Sequence, residues 1–231
     1  MIEFVRPPDA GRLFTSEYDV RLGDADPSGA VRWDSLARYL QDIASDDWEQ
    51  IGVDSNDFWV VRRTSMRRVG ARWPVFKQSM TLRTWCAGAG PAWVERRTDV
   101  LLDGEVVVET AALAVQVNTQ GQPVRIRPEF LAVYGDAIGG RKVSGRLAAP
   151  VVAPGAARRP WHLRRADLDV VGHVNNAACW QALGEVASDV VEATFSHHGS
   201  LAVDDQVLLL SSAGALWLCV DGDVRVAAHF A

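Results

Sequence analysis

The spacing of apolar positions along this chain changes period several times, and each change marks an element. Over 33–51, Trp33, Leu36, Leu40, Ile43 and Ile51 recur at three- and four-residue intervals. Asp34, Arg38, Asp42 and Asp46 take the other faces, which predicts a long amphipathic helix. Over 177–191, Ala177, Trp180, Leu183, Ala187, Val190 and Val191 keep the same spacing and predict a second helix of about five turns. After the first helix, stretches rich in Val, Thr and Leu read as strands: WVVRRTSMRRV (59–69), MTLRTW (80–85), 92–102 and 105–118. Asp103-Gly104 is the dipeptide of a tight hairpin, and Asp221-Gly222 repeats it between ALWLCV and DVRVAAHF.

These elements belong to an internal repeat. DADPSGAV (24–31) aligns without a gap on DLDVVGHV (167–174) at an offset of 143 residues, so Asp24, Asp26, Gly29 and Val31 recur as Asp167, Asp169, Gly172 and Val174. The two hairpins stand only 118 apart, so the second copy is 25 residues shorter. The loss is expected opposite residues 53–74, which include the first strand candidate. Between the copies, 134–160 is rich in Gly, Ala and Pro without periodicity and reads as a surface linker. The expected organisation is a first module at 1–135, a linker at 136–157 and a shortened second module at 158–231. Each has one helix wrapped by antiparallel strands, an α+β class.

Composition narrows the function. With 24 Lys plus Arg against 29 Asp plus Glu, the net charge of −5 argues against a nucleic-acid binder. No apolar run approaches the length of a membrane span, and the N-terminus lacks the pattern of a signal peptide. Cys86, Cys179 and Cys219 form no CxxC pair or zinc-like cluster, so neither a disulfide framework nor a metal is expected. A cytoplasmic setting follows as the expectation. No phosphate-cradling loop or redox-cofactor signature is present, and no cofactor is expected.

The stretch Arg165-Ala-Asp167-Leu-Asp169-Val-Val-Gly172-His173-Val174-Asn175-Asn176, followed by Trp180 and Glu185, resembles the signature of hotdog-fold thioesterases. The wider match, across roughly 14–230 and including WVVRRTSMRRVGARWPVFKQSMTLRTW (59–85), is to the acyl-ACP thioesterases, whose single chain holds two hotdog modules. Arg21-Leu-Gly-Asp24-Ala-Asp26-Pro27-Ser28-Gly29 resembles instead the 4-hydroxybenzoyl-CoA-type hotdog enzymes, in which the second Asp is catalytic. The chain departs from the plant-type pattern at Val171, where the family has Asn, and at Cys179, where an aromatic is usual. The family's downstream Glu has no counterpart near Leu201 and Ala202.

The resemblance implies a tandem hotdog that hydrolyses an acyl-ACP or acyl-CoA thioester. Its partner would be an acyl carrier protein or coenzyme A, and a homodimer of double hotdogs is an assembly it allows. A carboxylate just ahead of a helix, with glycine at the helix start, suits this chemistry: it offers a base or nucleophile beside backbone amides for an oxyanion. In copy two, Asp169 is the candidate base or nucleophile. The amides of Gly172 and His173 are the candidate oxyanion hole, and His173 and Asn175 are to orient water or carbonyl. Asp26 is the alternative catalytic carboxylate in copy one, as the 4-hydroxybenzoyl-CoA-type resemblance implies; an Asp ahead of a helix is also a common cap, a structural reading open to Asp26 and Asp169 alike. Trp33, Glu185 and Arg67 are candidate substrate contacts, Arg67 on an arginine-rich strand that suits an acidic carrier or a CoA phosphate. The rival reading is a non-catalytic acyl-thioester-binding hotdog protein. A dehydratase ranks third, because Asp169 and His173 are four residues apart where that chemistry uses five.

Overall fold

The computed structural model describes residues 3–52 and 58–231. Its first half runs β1 (Phe14–Asp19), α1 (Trp33–Ile51), β2 (Phe58–Arg68), β3 (Ser79–Ala89), β4 (Trp93–Leu102), β5 (Glu105–Val117) and α2 (Pro128–Ile138). The second half follows with β6 (Ala157–Trp161), a 3-10 turn at Asn176–Trp180, α3 (Gln181–Val186), β7 (Glu192–His197), β8 (Val207–Ser212), β9 (Ala215–Val220) and β10 (Asp223–Phe230).

All ten strands join one antiparallel sheet in the order β1-β3-β4-β5-β2-β7-β10-β9-β8-β6. Replace each strand by its counterpart in the other half, and this order reads the same backwards. The two halves therefore meet about a pseudo-twofold at the β2–β7 seam, where Arg63 to Arg67 pair with Ser196 to Glu192. The seam closes an edge that each half would otherwise expose. Both Asp-Gly hairpins form as read, with Asp103 and Gly104 at φ 52° and 80° and Asp221 and Gly222 at 52° and 88°, the left-handed geometry of a two-residue hairpin turn.

Helix α1 lies across the inner face of the sheet and buries Leu36, Leu40 and Ile43 against Met66, Leu82, Val100 and Val108. The same core continues without a break into copy two through Trp180, Leu183, Phe195 and Leu216. The rings of Trp180 and Phe195 stack at 4.1 Å, and Trp33 of α1 stacks over Trp180 at 6.3 Å.

Three expectations are corrected. The second helix does not run five turns: α3 has 6 residues against 19 in α1, and Ala187 is already extended at φ −147°. Val190 is buried all the same, from coil, because apolar spacing reports burial as well as helix. The strand thought lost from copy two is present as β7, and the shortening falls on the helix and on strand length, 6 residues in β7 against 11 in β2. Residues 53–57 of the stretch assigned to that loss lie outside the described residues. Finally, the segment read as linker begins inside α2, where Tyr134 is fully buried beside Cys86, Val94 and Phe130. The chain beyond α2 is pinned too: the Ala89 amide donates to Arg141 and the Trp93 indole to the Val143 carbonyl.

Candidate active site

The repeated motif folds into the same turn twice, bond for bond. In copy one the Asp24 amide donates to Arg21, Asp26 to Ala30, Gly29 to Asp26 and Arg32 to Asp24. In copy two Asp167 donates to Arg164, Asp169 to His173, Gly172 to Asp169 and Asn175 to Asp167. Gly29 and Gly172 stand at φ 87° and 79°, conformations an L side chain resists. The first Asp of each pair closes the turn onto the residue three before it, Asp24 accepting the Arg21 amide at 3.1 Å. Asp167 accepts the Arg164 amide at 2.7 Å and its guanidinium at 2.6 Å. Burial pulls the Asp167 carboxyl up, but the hydrogen bonds and charge of Arg164 prevail and hold it below its ordinary range. Asp24 accepts the Tyr39 hydroxyl at 2.6 Å, and burial together with this carboxylate pushes the phenol well above its ordinary value.

The second Asp of each pair is where the copies diverge. Asp26 Oδ1 takes three donors, the Ser28 hydroxyl at 2.6 Å and the Ser28 and Ala30 amides at 2.8 and 3.1 Å. Led by the Ser28 hydroxyl, these bonds hold the Asp26 carboxyl below its ordinary range, which weakens it as a base. In Asp169 the corresponding oxygen takes only two amides, Val171 at 3.0 Å and His173 at 3.2 Å. Val171, standing where copy one has Ser28, has no hydroxyl to give.

The same geometry corrects the oxyanion assignment. The Gly172 amide donates to the Asp169 carbonyl and the His173 amide to the Asp169 carboxylate, so neither is a free donor. His173 is exposed, as are Val170 and Val171 beside it. Asn175 and Asn176 turn inward. Asn175 caps the 3-10 turn, its Oδ1 accepting the Ala177 amide at 2.8 Å, which leaves Nδ2 to donate. Asn176 crosses the seam and donates through Nδ2 to the Val61 carbonyl of β2 at 3.1 Å.

Two cavities open beside these asparagines, and both lie on copy one. A cleft of about 660 Å3 runs along α1 past Asp24, Ser35, Arg38 and Tyr39, with Asn175 in its wall. A narrower pocket of about 80 Å3 lies between α1 and the sheet, with Asn176, Ala177 and Trp180 of copy two on one side. Gln41 borders both.

The remaining candidates sit elsewhere. Trp33 packs on Trp73 at 4.9 Å and lines neither cavity. Glu185 is exposed and pairs with Arg159 at 3.3 Å. Arg67 pairs with Glu109 at 2.6 Å and lies under the Phe4 ring, so its charge is already met. Its neighbours are engaged likewise, Arg62 with the His197 carbonyl and Arg72 with Asp103 and Glu105. Cys179 is no nucleophile, since burial pushes its thiol up to about 12. Among the described residues no three His, Cys, Asp or Glu gather as a metal site requires, and no helix is long and apolar enough to cross a membrane.

Sequence reasoning missed one cluster altogether. Asp47 of α1, fully buried, accepts Arg12 Nε at 2.6 Å, Arg96 at 2.6 Å and the Tyr134 hydroxyl at 2.7 Å. Its partners come from three distant parts of the chain, and no local pattern could have joined them.

A palindromic sheet of two helix-wrapped halves in one chain defines the class: a double hotdog, the architecture of single-chain thioesterases. Three solved structures share it over nearly their whole length. A protein assigned as an oleoyl thioesterase from Lactobacillus plantarum superposes with a TM-score of 0.82 at 18% identity, covering 96% of both chains. The 12:0-ACP thioesterase from Umbellularia californica gives 0.76 at 19%, covering 94% of this chain and 96% of its own. An acyl-ACP thioesterase from Bacteroides thetaiotaomicron gives 0.74 at 14%, with 95% and 98% covered. An uncharacterized protein of Mycobacterium tuberculosis strain H37Rv is 23% identical over 205 residues, 87% of this chain and 80% of its own. The model of the acyl-ACP thioesterase N-terminal domain matches residues 11–134, and the chain belongs to the acyl-ACP thioesterase family.

Proposed function

We propose that this protein hydrolyses an acyl-ACP or acyl-CoA thioester to the free acid and the carrier thiol, with the reacting carbonyl held between copy two's loop and copy one's cavities. The observation that carries this reading is the position of Asn175 and Asn176. They extend directly from the Asp169 turn and line the two cavities on the other copy. Copy one then holds the acyl group while copy two supplies the polar chemistry.

In this mechanism Asp169, with fewer donors on its carboxylate than Asp26, acts as general base. It takes a proton from water as the oxygen attacks the thioester carbonyl. Asn175 Nδ2 donates to the oxyanion, the role first expected of the Gly172 and His173 amides. His173 helps orient the water from the exposed rim. Collapse of the tetrahedral adduct breaks the C–S bond, and the proton on Asp169 passes to the departing thiolate, restoring the carboxylate. A panel of acyl-CoA and acyl-ACP thioesters, with free thiol titrated against time, tests the proposal. Release from at least one thioester well above the enzyme-free control is expected. Binding without release from any of them sinks it in favour of a binding protein.

A further inference from the structure

We infer that the open edge of copy two, from β6 into the Asp169 turn, is the docking surface for the acidic face of an acyl carrier protein. This deepens the thioesterase reading and rests on it for the presence of a carrier and for the site at the end of that turn.

The repeat supplies a comparison. Strands β1 and β6 are the two ends of the sheet, and they stand 143 residues apart, at the offset of the motif. Each residue of one edge therefore has a counterpart on the other. Over 14–24 copy one carries Glu17, Asp19 and Asp24 with one arginine, Arg21. Over 157–167 copy two carries Arg158, Arg159, Arg164 and Arg165 with one acid, Asp167. One backbone thus presents a net charge of −2 at one end of the sheet and +3 at the other, in a chain whose total is −5. Guarding an open edge against other sheets takes charge of either sign, and β1 does it with acids. The reversed sign on β6 serves something more.

All four arginines are exposed. Arg164 is held by Asp167, and Arg159 meets Glu185 in an exposed pair of the kind that contributes little. Arg158 and Arg165 pair with no carboxylate among the described residues. At the rise of a strand, the six residues from Arg158 to Arg164 reach about 20 Å, which suits a row of carboxylates on a protein face. The turn that follows presents Val170 and Val171, both exposed, where copy one has Pro27 and Ser28. Arginines beside a small apolar knuckle fit a transient protein contact, in which complementary charge steers the encounter and apolar burial holds it. Asn175 and Asn176, in the cavity walls, lie four and five residues beyond the knuckle. A carrier seated on this edge brings its thioester to them.

The probe is a bacterial acyl carrier protein alkylated on its pantetheine thiol with a hexyl or a dodecyl chain, a thioether that is not cleaved. It is titrated calorimetrically onto the full chain beside the matching S-alkyl CoA. The parent is expected to bind at least one alkylated carrier, more weakly as salt rises. Arg158→Glu with Arg165→Glu is expected to weaken that binding about tenfold and to leave S-alkyl CoA within about twofold. Arg125→Glu with Arg146→Glu makes the same change in net charge on exposed residues off this edge, and is expected to leave carrier binding within about twofold. Equal losses in the two double variants, an equal loss for S-alkyl CoA, or no carrier binding by the parent overturns the inference. So does binding through Arg158 and Arg165 to phosphatidylglycerol vesicles in place of the carrier. A mass above the monomer in light scattering, lost in Arg158→Glu with Arg165→Glu, overturns it too, because the acidic β1 edge of a second copy would then be the occupant. Thiol release from acyl thioesters bears only on the hydrolysis reading, so the two can fail separately.

Discussion

At the scale of single residues, hydrogen-bond supply separates two aspartates that the sequence presents as equals. The repeat shows Asp26 and Asp169 in one motif, and their neighbours Ser28 and Val171 are visible beside them. What the sequence does not show is that the Ser28 hydroxyl folds back onto Asp26 and holds its carboxyl below the ordinary range. Ser28→Val should therefore raise the Asp26 pKa towards its ordinary value, which NMR titration of the side-chain carboxyl would register. A second residue, His197, ends strand β7: it is buried and its Nε2 has no hydrogen-bond partner. Burial, with Arg62 and His198 nearby, pushes its pKa down to about 4. The unfolded chain then binds a proton that the native state refuses between about pH 6.5 and 4, so stability falls as the pH drops through that window. His197→Phe should flatten this acid slope in chemical denaturation curves collected from pH 7 to 4. An unchanged slope would mean that other groups carry it.

At the scale of elements, the hairpins and the long helix were legible because their signals are local: Asp-Gly pairs, and apolar residues at helical spacing. The end of α3 and the existence of α2 were not legible. Ala187, Val190 and Val191 continue a helical spacing because they pack, although the backbone has left the helix. The start of α2 carries Pro128 at its first turn, a valid signal, but Gly135 and the Gly-rich stretch after it read as linker. The repeated turns give a clean comparison at this scale. Gly29 and Gly172 both have positive φ and open space where a Cβ would go, so the cost of alanine there is conformational alone. Gly29→Ala and Gly172→Ala should each lose about 1–2 kcal/mol in urea denaturation, with no larger effect in one than the other. By contrast Asp47→Ala leaves Arg96 buried without its carboxylate and should cost about 3–5 kcal/mol, read as a fall in melting temperature.

At the scale of the whole molecule, the repeat offset disclosed two related halves, and the resemblance supplied their pairing. What neither disclosed was that two cavities of copy one carry asparagines of copy two in their walls, because the cavities arise from tertiary placement of residues that look unremarkable in sequence. The pseudo-twofold also makes copy two dependent on copy one. Residues 158–231 alone would expose the β7 edge and the Trp180–Phe195 stack that α1 covers. That fragment should show no cooperative, monomeric melt, and a sharp transition at monomer mass in a calorimeter would contradict the paired arrangement. The central claim, that copy two performs the chemistry on an acyl group held by copy one, is tested most directly by thiol release from a cleaved thioester by Asp169→Asn and Asp26→Asn side by side. The account predicts a loss of at least about a hundredfold in kcat for Asp169→Asn and a rate within a few fold of the parent for Asp26→Asn. The reverse pattern, with Asp26→Asn inactive and Asp169→Asn near the parent rate, would contradict it and move the active site to copy one.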